Sequence, residues 1–262
     1  MNILAGKNAV ITGGETGIGL AIVEALCAAG AQVMMGGILE APGRAAAKRI
    51  RDGGGKADFI KVDVRDSGQV DALAQAAVDR FGGIDIMVNN AGVFDGFASC
   101  LETTEALWDK VIDINLKGTF FGSQAALKRM VPRGKGRIIN TASIGGLCGS
   151  ADGASYTASK FAIIGLTKQI ACTYGENGIT ANAICPGVIQ TDIRANSTTI
   201  LGADAPKMAG VGADPDGYKR RVPAKRKGLP SEIADLAVFL ASDNSAYITG
   251  QAIAIDGGWT AM

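Results

Sequence analysis

A tyrosine and a lysine lie four residues apart in the segment SYTASK at residues 155–160, where a helix is predicted to begin. That spacing places Tyr156 and Lys160 on one helix face. A tyrosine is a poor base at its ordinary pKa of about 10, but a neighbouring ammonium favours the phenolate and lowers that pKa. Ser143 ends a predicted strand and could hydrogen-bond a substrate oxygen beside the tyrosine. The three side chains suit general acid–base chemistry, although such a pair alone also occurs on ordinary helix surfaces.

A glycine-rich segment, TGGETGIG at residues 12–19, follows the first predicted strand and begins the first predicted helix. Gly13 would permit a tight turn, whereas Gly17 and Gly19 would let the backbone approach a pyrophosphate and the strand closely. The helix N-terminus would offer free N–H groups and a partial positive charge to the phosphates. The segment predicts a dinucleotide site, with a plain strand–helix turn as the alternative. No Gly-Lys-Ser/Thr sequence follows, which disfavours phosphoryl transfer.

The composition excludes several kinds of chemistry. The 262 residues include no histidine, which removes Ser-His-Asp and Cys-His mechanisms and most zinc sites. The five cysteines are widely spaced, which indicates reduced thiols in the cytoplasm and predicts no metal site. The formal net charge of +1 comes without a basic stripe, so no nucleic-acid partner is expected. No signal peptide and no apolar run of ~18 residues is found, so no membrane association is expected.

Short β-branched runs alternate with longer alanine-rich segments, and this alternation predicts the scaffold for these residues. Strands are predicted at residues 7–12, 32–35, 58–62, 84–88, 137–141, 180–184 and 252–255. Helices are predicted at residues 18–29, 42–51, 69–80, 105–130, 155–174 and 231–241. Strands and helices in this order imply right-handed βαβ units. We therefore predict an α/β fold, a Rossmann-type doubly wound parallel sheet of about seven strands with helices on both faces, in one domain of residues 1–262.

The segment from Asp192 to Gly228 interrupts the alternation, because it has three prolines, five glycines and no strong periodicity. A stretch of that length without regular structure is usually functional in a compact domain. We predict that residues 192–228 form a substrate-binding lid over a pocket. The basic cluster at residues 219–227 within it is interpreted as a solvated loop.

The joint order of these features resembles the short-chain dehydrogenase/reductase family over nearly the whole chain. The matching segments are TGGETGIG (12–19), NNAG (89–92), Asn115, Ser143, YTASK (156–160) and PG (186–187). The resemblance implies an oxidoreductase that transfers a hydride between a nicotinamide cofactor and a secondary alcohol or ketone. Its catalytic residues would be Asn115, Ser143, Tyr156 and Lys160. Tyr156 would be the acid/base, Lys160 would lower its pKa and hold the nicotinamide ribose, and Asn115 would anchor a relay water. Without the resemblance, Asn115 would be interpreted as a helix-bending polar residue.

The resemblance also implies a set of cofactor contacts. They are Gly13, Thr16, Gly17, Ile18, Gly19, Asp63, Val64, Asn89, Ala91, Gly92, Tyr156, Lys160, Pro186, Gly187, Val188 and Thr191. At the end of the second strand, an acid would bind the ribose 2′-OH of NAD and an arginine would accept the 2′-phosphate of NADP. The sequence MGGI at residues 35–38 has neither, whereas the charge of Glu15 would repel a phosphate. We expect NAD to be the cofactor. Arg44 is the nearest cation downstream and could instead accept the 2′-phosphate of NADP.

Substrate contacts are expected from Ser143, Gly145, Leu147 and Tyr156. The remaining expected pocket walls are Val93, Phe94, Cys148, Gly187 and the lid. Because these walls are mostly apolar, we expect a small neutral alcohol or ketone. The alternatives are a 3-oxoacyl-type reductase using NADPH, a non-catalytic nucleotide-binding scaffold and a methyltransferase on a similar sheet. Small residues on the helices at 105–130 and 155–174, together with the apolar C-terminal tail, agree with the homotetramer that the family commonly forms.

Overall fold

The computed structural model describes residues 2–207, 214 and 216–262. Its seven strands form one parallel sheet in the order β3-β2-β1-β4-β5-β6-β7. The strands are β1 (Asn8–Thr12), β2 (Gln32–Gly37), β3 (Lys56–Lys61), β4 (Ile86–Asn89), β5 (Gly136–Thr141), β6 (Ile179–Pro186) and β7 (Ala252–Ile255). The predicted α/β fold with a doubly wound parallel sheet is confirmed.

Helices pack on both faces of this sheet. They are α1 (Gly17–Ala28), α2 (Glu40–Asp52), α3 (Ser67–Phe81), α4 (Glu105–Val111), α5 (Gly118–Met130), α6 (Ala154–Tyr174), α7 (Ile193–Leu201), α8 (Tyr218–Arg221) and α9 (Pro230–Ala241). Successive strand residues point to opposite faces, so Ile11 joins the apolar cluster beneath α1 and α9, whereas Val10 joins the cluster beneath α3 and α5. Burial on both faces explains why inner strands such as β1 and β4 are buried throughout, whereas the edge strand β3 alternates between buried and more exposed residues.

The order of the strands creates a crevice at one edge of the sheet. The chain runs outward from β1 through β2 to β3 and then returns to place β4 on the other side of β1. The connections after β1 and β4 leave in opposite directions, which opens a crevice beyond the carboxyl ends of these strands. The turn after β1 meets the segment after β4 there, where the Asn90 side-chain amide donates to the Gly13 carbonyl at 2.9 Å.

The predicted helix at 105–130 is correct in extent but not in regularity. A π-helical turn at Ile112–Lys117 separates α4 from α5, and Asn115 lies within it. Asn115 pairs through its side chain with both backbone groups of Val93, and its carbonyl accepts a hydrogen bond from the Thr119 hydroxyl at 2.7 Å. Such single π-helical turns occur often at functional sites.

The expectation of an irregular segment from Asp192 to Gly228 was wrong at two places, because α7 and the short α8 form within it. Helix α7 depends on tertiary contacts that its composition does not reveal: the Ser197 hydroxyl accepts a hydrogen bond from the backbone N–H of Phe94 at 2.8 Å. Residues 208–213 and 215 of the predicted lid lie outside the described residues. In the described part of the chain, no helix combines the length and the hydropathy that crossing a membrane requires.

Candidate active site

Ser143, Tyr156 and Lys160 meet in one pocket of about 300 Å³ at the crevice. Ser143 follows β5, whereas Tyr156 and Lys160 lie in the first two turns of α6. The ammonium of Lys160 lies 5.2 Å from the centre of the Tyr156 ring and donates to the Thr141 carbonyl at 2.8 Å. The edge of the Phe94 ring packs against Tyr156, with 5.1 Å between the ring centres. The structure therefore assembles the three side chains that the sequence singled out.

Asn115 lies close to the ammonium of Lys160, next to Gly92. A Cβ atom placed on Gly92 would lie 3.2 Å from the Asn115 Oδ1 atom and 3.7 Å from the Lys160 ammonium, so both groups border the same point. Gly92 leaves that point unfilled. The Asn115 side-chain amide also donates to the Ser159 hydroxyl at 3.2 Å, which ties the π-helical turn to α6. These contacts fit the predicted place of Asn115 next to Lys160, while its role in a proton relay stays a prediction.

Burial controls the protonation of the tyrosine and the lysine. Burial raises the pKa of Tyr156 above its ordinary value, and the charges of Asp152 and Asp95 raise it further. Burial also lowers the pKa of Lys160 to about 8, against the opposing effect of the Asp152 charge. The sequence predicted that Lys160 would lower the pKa of Tyr156, whereas in this structure burial of the hydroxyl acts in the opposite direction.

Two aspartates that the sequence analysis did not single out lie beside Ser143 and Tyr156. The Asp152 carboxylate accepts a hydrogen bond from the Ser143 hydroxyl at 3.3 Å, and burial together with the Asp95 charge raises the pKa of Asp152 to about 6. Asp95 is fully buried and accepts hydrogen bonds from the Ser155 hydroxyl and the Tyr156 backbone N–H. Both aspartates thus place negative charge near Tyr156, and Asp95 also holds the start of α6.

The glycine-rich turn has the shape that a dinucleotide requires. A Cβ atom on Gly19 would lie 1.9 Å from the Gly13 carbonyl oxygen, and one on Gly13 would lie 2.7 Å from the Ala91 Cα atom. Gly17 has a φ of +56°, and a Cβ atom placed on it would lie in ordinary contact with the Thr191 side chain, 3.5 Å away. The N-cap residue Thr16 makes no side-chain cap, so the first N–H groups of α1 keep their capacity to bind an anion. These residues fit a bound NAD(P) pyrophosphate.

Most of the predicted cofactor contacts line this pocket. They are Gly13, Thr16, Gly17, Ile18, Gly19, Asp63, Val64, Ala91, Gly92, Tyr156, Lys160, Pro186, Gly187, Val188 and Thr191. Asn89 is the exception, because its buried amide donates to Ser123 and Asn140 in the interior. Asn90 lines the pocket in its place. Of the two asparagines in NNAG, only the second lies beyond the end of β4, where a side chain can face the crevice.

The predicted substrate contacts are placed less uniformly. Ser143 and Tyr156 line the pocket, but Gly145, Leu147 and Cys148 are not among its lining residues. Gly145 lies under the Asp152 carboxylate, since a Cβ atom there would be 2.1 Å from the Asp152 Oδ2 atom. The lining residues that the sequence analysis missed include Phe97, Ile114, Ala151, Asp152, Tyr218 and Trp259. An acid just before the SYTASK segment was the available signal for Asp152, whereas no local pattern marks Trp259.

Helix α7 borders the same pocket and is hydrogen-bonded both to the glycine-rich turn and to the segment after β4. The Asn196 side-chain amide donates to the Thr16 hydroxyl at 3.2 Å, next to the glycine-rich turn. Ser197 accepts the backbone N–H of Phe94, the aromatic neighbour of Tyr156. The guanidinium of Arg194 lies 5.7 Å from the centre of the Phe97 ring. This part of the predicted lid therefore lies against both the glycine-rich turn and Phe94 beside Tyr156.

Comparison with known proteins agrees with this geometry. A family model described as enoyl-(acyl carrier protein) reductase, one of the short-chain dehydrogenase/reductase models, matches residues 13–260. The chain is 41% identical over 260 residues to 3beta-hydroxysteroid dehydrogenase 2 of Eggerthella lenta, covering 99% of this chain and 96% of that protein. It is 37% identical over 259 residues to cis-4-hydroxycyclohexanecarboxylate dehydrogenase of Sinomonas cyclohexanicum, with 98% of each chain covered.

A solved structure with a comparable level of sequence identity shows the same fold. Levodione reductase superposes with a TM-score of 0.88 at 33% identity, with 98% of each chain covered. The matched regions contain the glycine-rich turn, the segment after β4, Ser143 and the Tyr156–Lys160 pair. The relatives are dehydrogenases and reductases, and the activity that fits this site is NAD(P)-dependent oxidoreduction of CH–OH groups. The chain belongs to the short-chain dehydrogenase/reductase family.

Proposed function

We propose that this oxidoreductase interconverts a neutral, ring-borne secondary alcohol and its ketone, with NAD as its favoured cofactor. The observation that carries the proposal is the convergence of Ser143, Tyr156 and Lys160 in a pocket that continues to the glycine-rich turn. A bound nicotinamide accepts or supplies the hydride, and the protein positions the groups and handles the proton.

The side chains divide the proton chemistry between them. The Tyr156 hydroxyl exchanges a proton with the substrate oxygen, acting as base during oxidation and as acid during reduction. Ser143 hydrogen-bonds the same oxygen and holds it beside the tyrosine. The ammonium of Lys160, 5.2 Å from the Tyr156 ring centre, favours the phenolate that forms when Tyr156 gives up its proton during ketone reduction. Phe94, which packs against the Tyr156 ring, and α7, which binds the Phe94 backbone through Ser197, would limit the access of water to the reacting carbon.

The substrate class follows from the pocket walls. Phe94, Phe97, Ile200 and Trp259 supply apolar surface, which favours an alicyclic skeleton over a sugar or a phosphate ester. The Asp152 carboxylate, hydrogen-bonded to Ser143, would repel an anionic group placed next to the reacting oxygen. Relatives named for a hydroxysteroid and a hydroxycyclohexanecarboxylate support a hydroxyl group on a ring as the reacting centre.

The proposal is tested by incubating the purified protein with NAD⁺ and a panel of cyclic and linear secondary alcohols, and by following NADH formation. We expect cyclic neutral alcohols to be oxidised with higher kcat/KM than linear or anionic ones. Activity confined to 3-oxoacyl thioesters with NADPH would instead support the reductase alternative.

The charge of Asp152 is expected to control the pH dependence of oxidation. Its carboxylate raises the pKa of Tyr156, so Asp152→Asn should lower that pKa and move the acidic limb of the kcat/KM profile for alcohol oxidation, on which activity rises with pH, to lower pH. The asparagine oxygen can still accept the Ser143 hydrogen bond, which separates charge from geometry. Asp192→Asn is the matched control, because Asp192 also lines the pocket but does not act on Tyr156. A limb that stays in place or moves upward would contradict this assignment.

The preference for NAD is measured most directly by binding. Glu15 places a carboxylate in the pocket at the end of β2, where it would repel a 2′-phosphate. Of the cations that could attract this phosphate, Arg44 pairs with Glu40 and Arg65 pairs with Asp63. We expect NADH to bind at least about tenfold more tightly than NADPH, equivalent to ~1.4 kcal/mol, in a nicotinamide-fluorescence titration. Equal affinities, or tighter NADPH binding, would remove the proposed preference.

We further propose that the protein is cytoplasmic and assembles as a homotetramer. Residues 192–228 would form the substrate lid of each chain. All five cysteines are free thiols, which supports a reducing compartment. Trp108 on α4, Phe120 on α5 and Phe161 on α6 expose 40%, 43% and 47% of their surface, which supports burial of these helices between subunits. Sedimentation equilibrium should give four chains per particle, and a monomer that persists at high concentration would exclude the assembly.

A further inference from the structure

The carboxylate of Glu15 occupies the volume that a side chain at position 37 would need. Gly37 ends β2 next to the crevice, and a Cβ atom placed on it would lie 1.9 Å from the Glu15 Oε2 atom and 2.3 Å from Oε1. No real Cβ atom tolerates such contacts, so Glu15 in this position and a side chain at residue 37 exclude each other. Glu15 therefore reaches, from the turn after β1, the place where the side chain of the last β2 residue would begin.

The hydrogen bonding of Glu15 is incomplete. Its Oε1 atom accepts the backbone N–H of Leu39 at 3.3 Å, whereas the buried Oε2 atom has no hydrogen-bond partner. Glu15 is only 6% exposed, and burial raises the pKa of its carboxyl group. A buried carboxylate oxygen without a donor is unfavourable, so this atom can accept a hydrogen bond from a ligand group in the pocket.

The position of this carboxylate identifies the donor. Glu15, Gly37 and Leu39 line the same pocket as Asp63, which comes two residues after Lys61, the β3 partner of Gly37. In sheets of this topology, an acid at the end of the second strand accepts the hydroxyls of the adenosine ribose. Residues 35–38 contain no acid.

We propose that Glu15 is the ribose ligand of this protein, with its carboxylate accepting hydrogen bonds from the adenosine 2′- and 3′-hydroxyls in place of an acid on β2. The inference rests on the NAD preference proposed above but adds a separate claim. Repulsion alone makes Glu15 disfavour NADPH and leaves NADH affinity unchanged. A ligand role makes Glu15 necessary for tight NADH binding as well.

The test exchanges the acid between the two positions and measures NADH and NADPH dissociation constants by nicotinamide fluorescence. Glu15→Ala should weaken NADH binding about tenfold or more, because the hydroxyls lose their acceptor. Gly37→Asp alone should weaken it too, because the new side chain displaces the Glu15 carboxylate. The double variant Glu15→Ala/Gly37→Asp should recover NADH affinity relative to both single variants. Glu24→Ala, which removes an exposed glutamate of α1 paired with Arg49, is the matched control and should bind NADH as the unaltered protein does.

The outcomes separate the two proposals. Unchanged NADH affinity in Glu15→Ala, with only NADPH binding improved, would overturn the ligand role and leave the NAD preference standing. NADPH binding more tightly than NADH in the unaltered protein would overturn the preference itself. If Gly37→Asp fails to fold by circular dichroism, Glu15→Gln decides the question: this near-isosteric change should also weaken NADH binding, and unchanged affinity would overturn the ligand role.

Discussion

Replacing Tyr156 with phenylalanine is expected to reduce kcat by about 10²–10⁴-fold while NADH still binds with nearly unchanged affinity. The change removes one hydroxyl group and keeps the ring that packs against Phe94. Since Lys160 continues to donate to the Thr141 carbonyl, the remaining site should keep its shape. The loss would therefore report proton transfer, and the measurement pairs steady-state turnover of the best alcohol with a fluorescence titration of NADH.

The control for this variant is Tyr174→Phe at the other end of α6, which makes the same chemical change outside the pocket. It should leave both kcat and NADH affinity unaltered. Substantial turnover in Tyr156→Phe would contradict the assignment of Tyr156 as the acid/base. A loss of NADH binding in Tyr156→Phe would show that the hydroxyl positions the cofactor in addition to moving the proton.

Gly19→Ala should have the largest effect on cofactor binding and on stability. The added methyl group would lie 1.9 Å from the Gly13 carbonyl oxygen and 2.5 Å from the side-chain amide of Asn90. The first of these is backbone in a tight turn and cannot move aside without opening the crevice. We expect a loss of about 3 kcal/mol or more in the free energy of unfolding, as overpacked sites show. NADH binding should fall below detection in the same protein.

Gly175→Ala serves as the matched substitution. Gly175 has helical backbone angles, with φ −59° and ψ −40°, and its added methyl group would meet no atom within 4 Å. Denaturant unfolding should show this variant as stable as the unaltered protein or more stable by about 0.4–1 kcal/mol, because alanine restricts the unfolded chain. If Gly19→Ala unfolded with the same midpoint and bound NADH normally, the proposed packing of the glycine-rich turn would be wrong.

Local patterns were sufficient to predict the strands and most of the helices. Apolar β-branched runs reveal buried parallel strands because both of their faces are covered, and the 3.6-residue period reveals helices such as α1 and α9. The failures fall where tertiary contacts override local preference. Helix α7 is short, and its order depends on two hydrogen bonds that link it to residues more than a hundred positions earlier in the chain. Ser197 accepts one from the Phe94 backbone, and Asn196 donates the other to Thr16. The π-helical turn at Asn115 likewise depends on Val93.

Neighbouring residues in the site show the limit of motif reasoning. The segment NNAG predicted Asn89 as a cofactor contact, but Asn89 is the last residue of β4 and points into the interior toward Asn140. One position further, Asn90 reaches the glycine-rich turn. Successive residues at a strand end face opposite directions, so a shift of one residue exchanges a pocket wall for a core residue.

The parallel α/β scaffold, the set of Ser143, Tyr156 and Lys160 and the glycine-rich turn could all be predicted from residue types at short spacings along the chain. The residues that surround them depend on how distant parts of the chain fold together. Glu15 meets Gly37 across twenty-two positions of chain, and Asp152 approaches Ser143 across a loop, so neither pairing leaves a periodic signal. Burial is likewise a property of the assembled core, and it moves the pKa of Tyr156 in the direction opposite to that predicted from its neighbouring lysine.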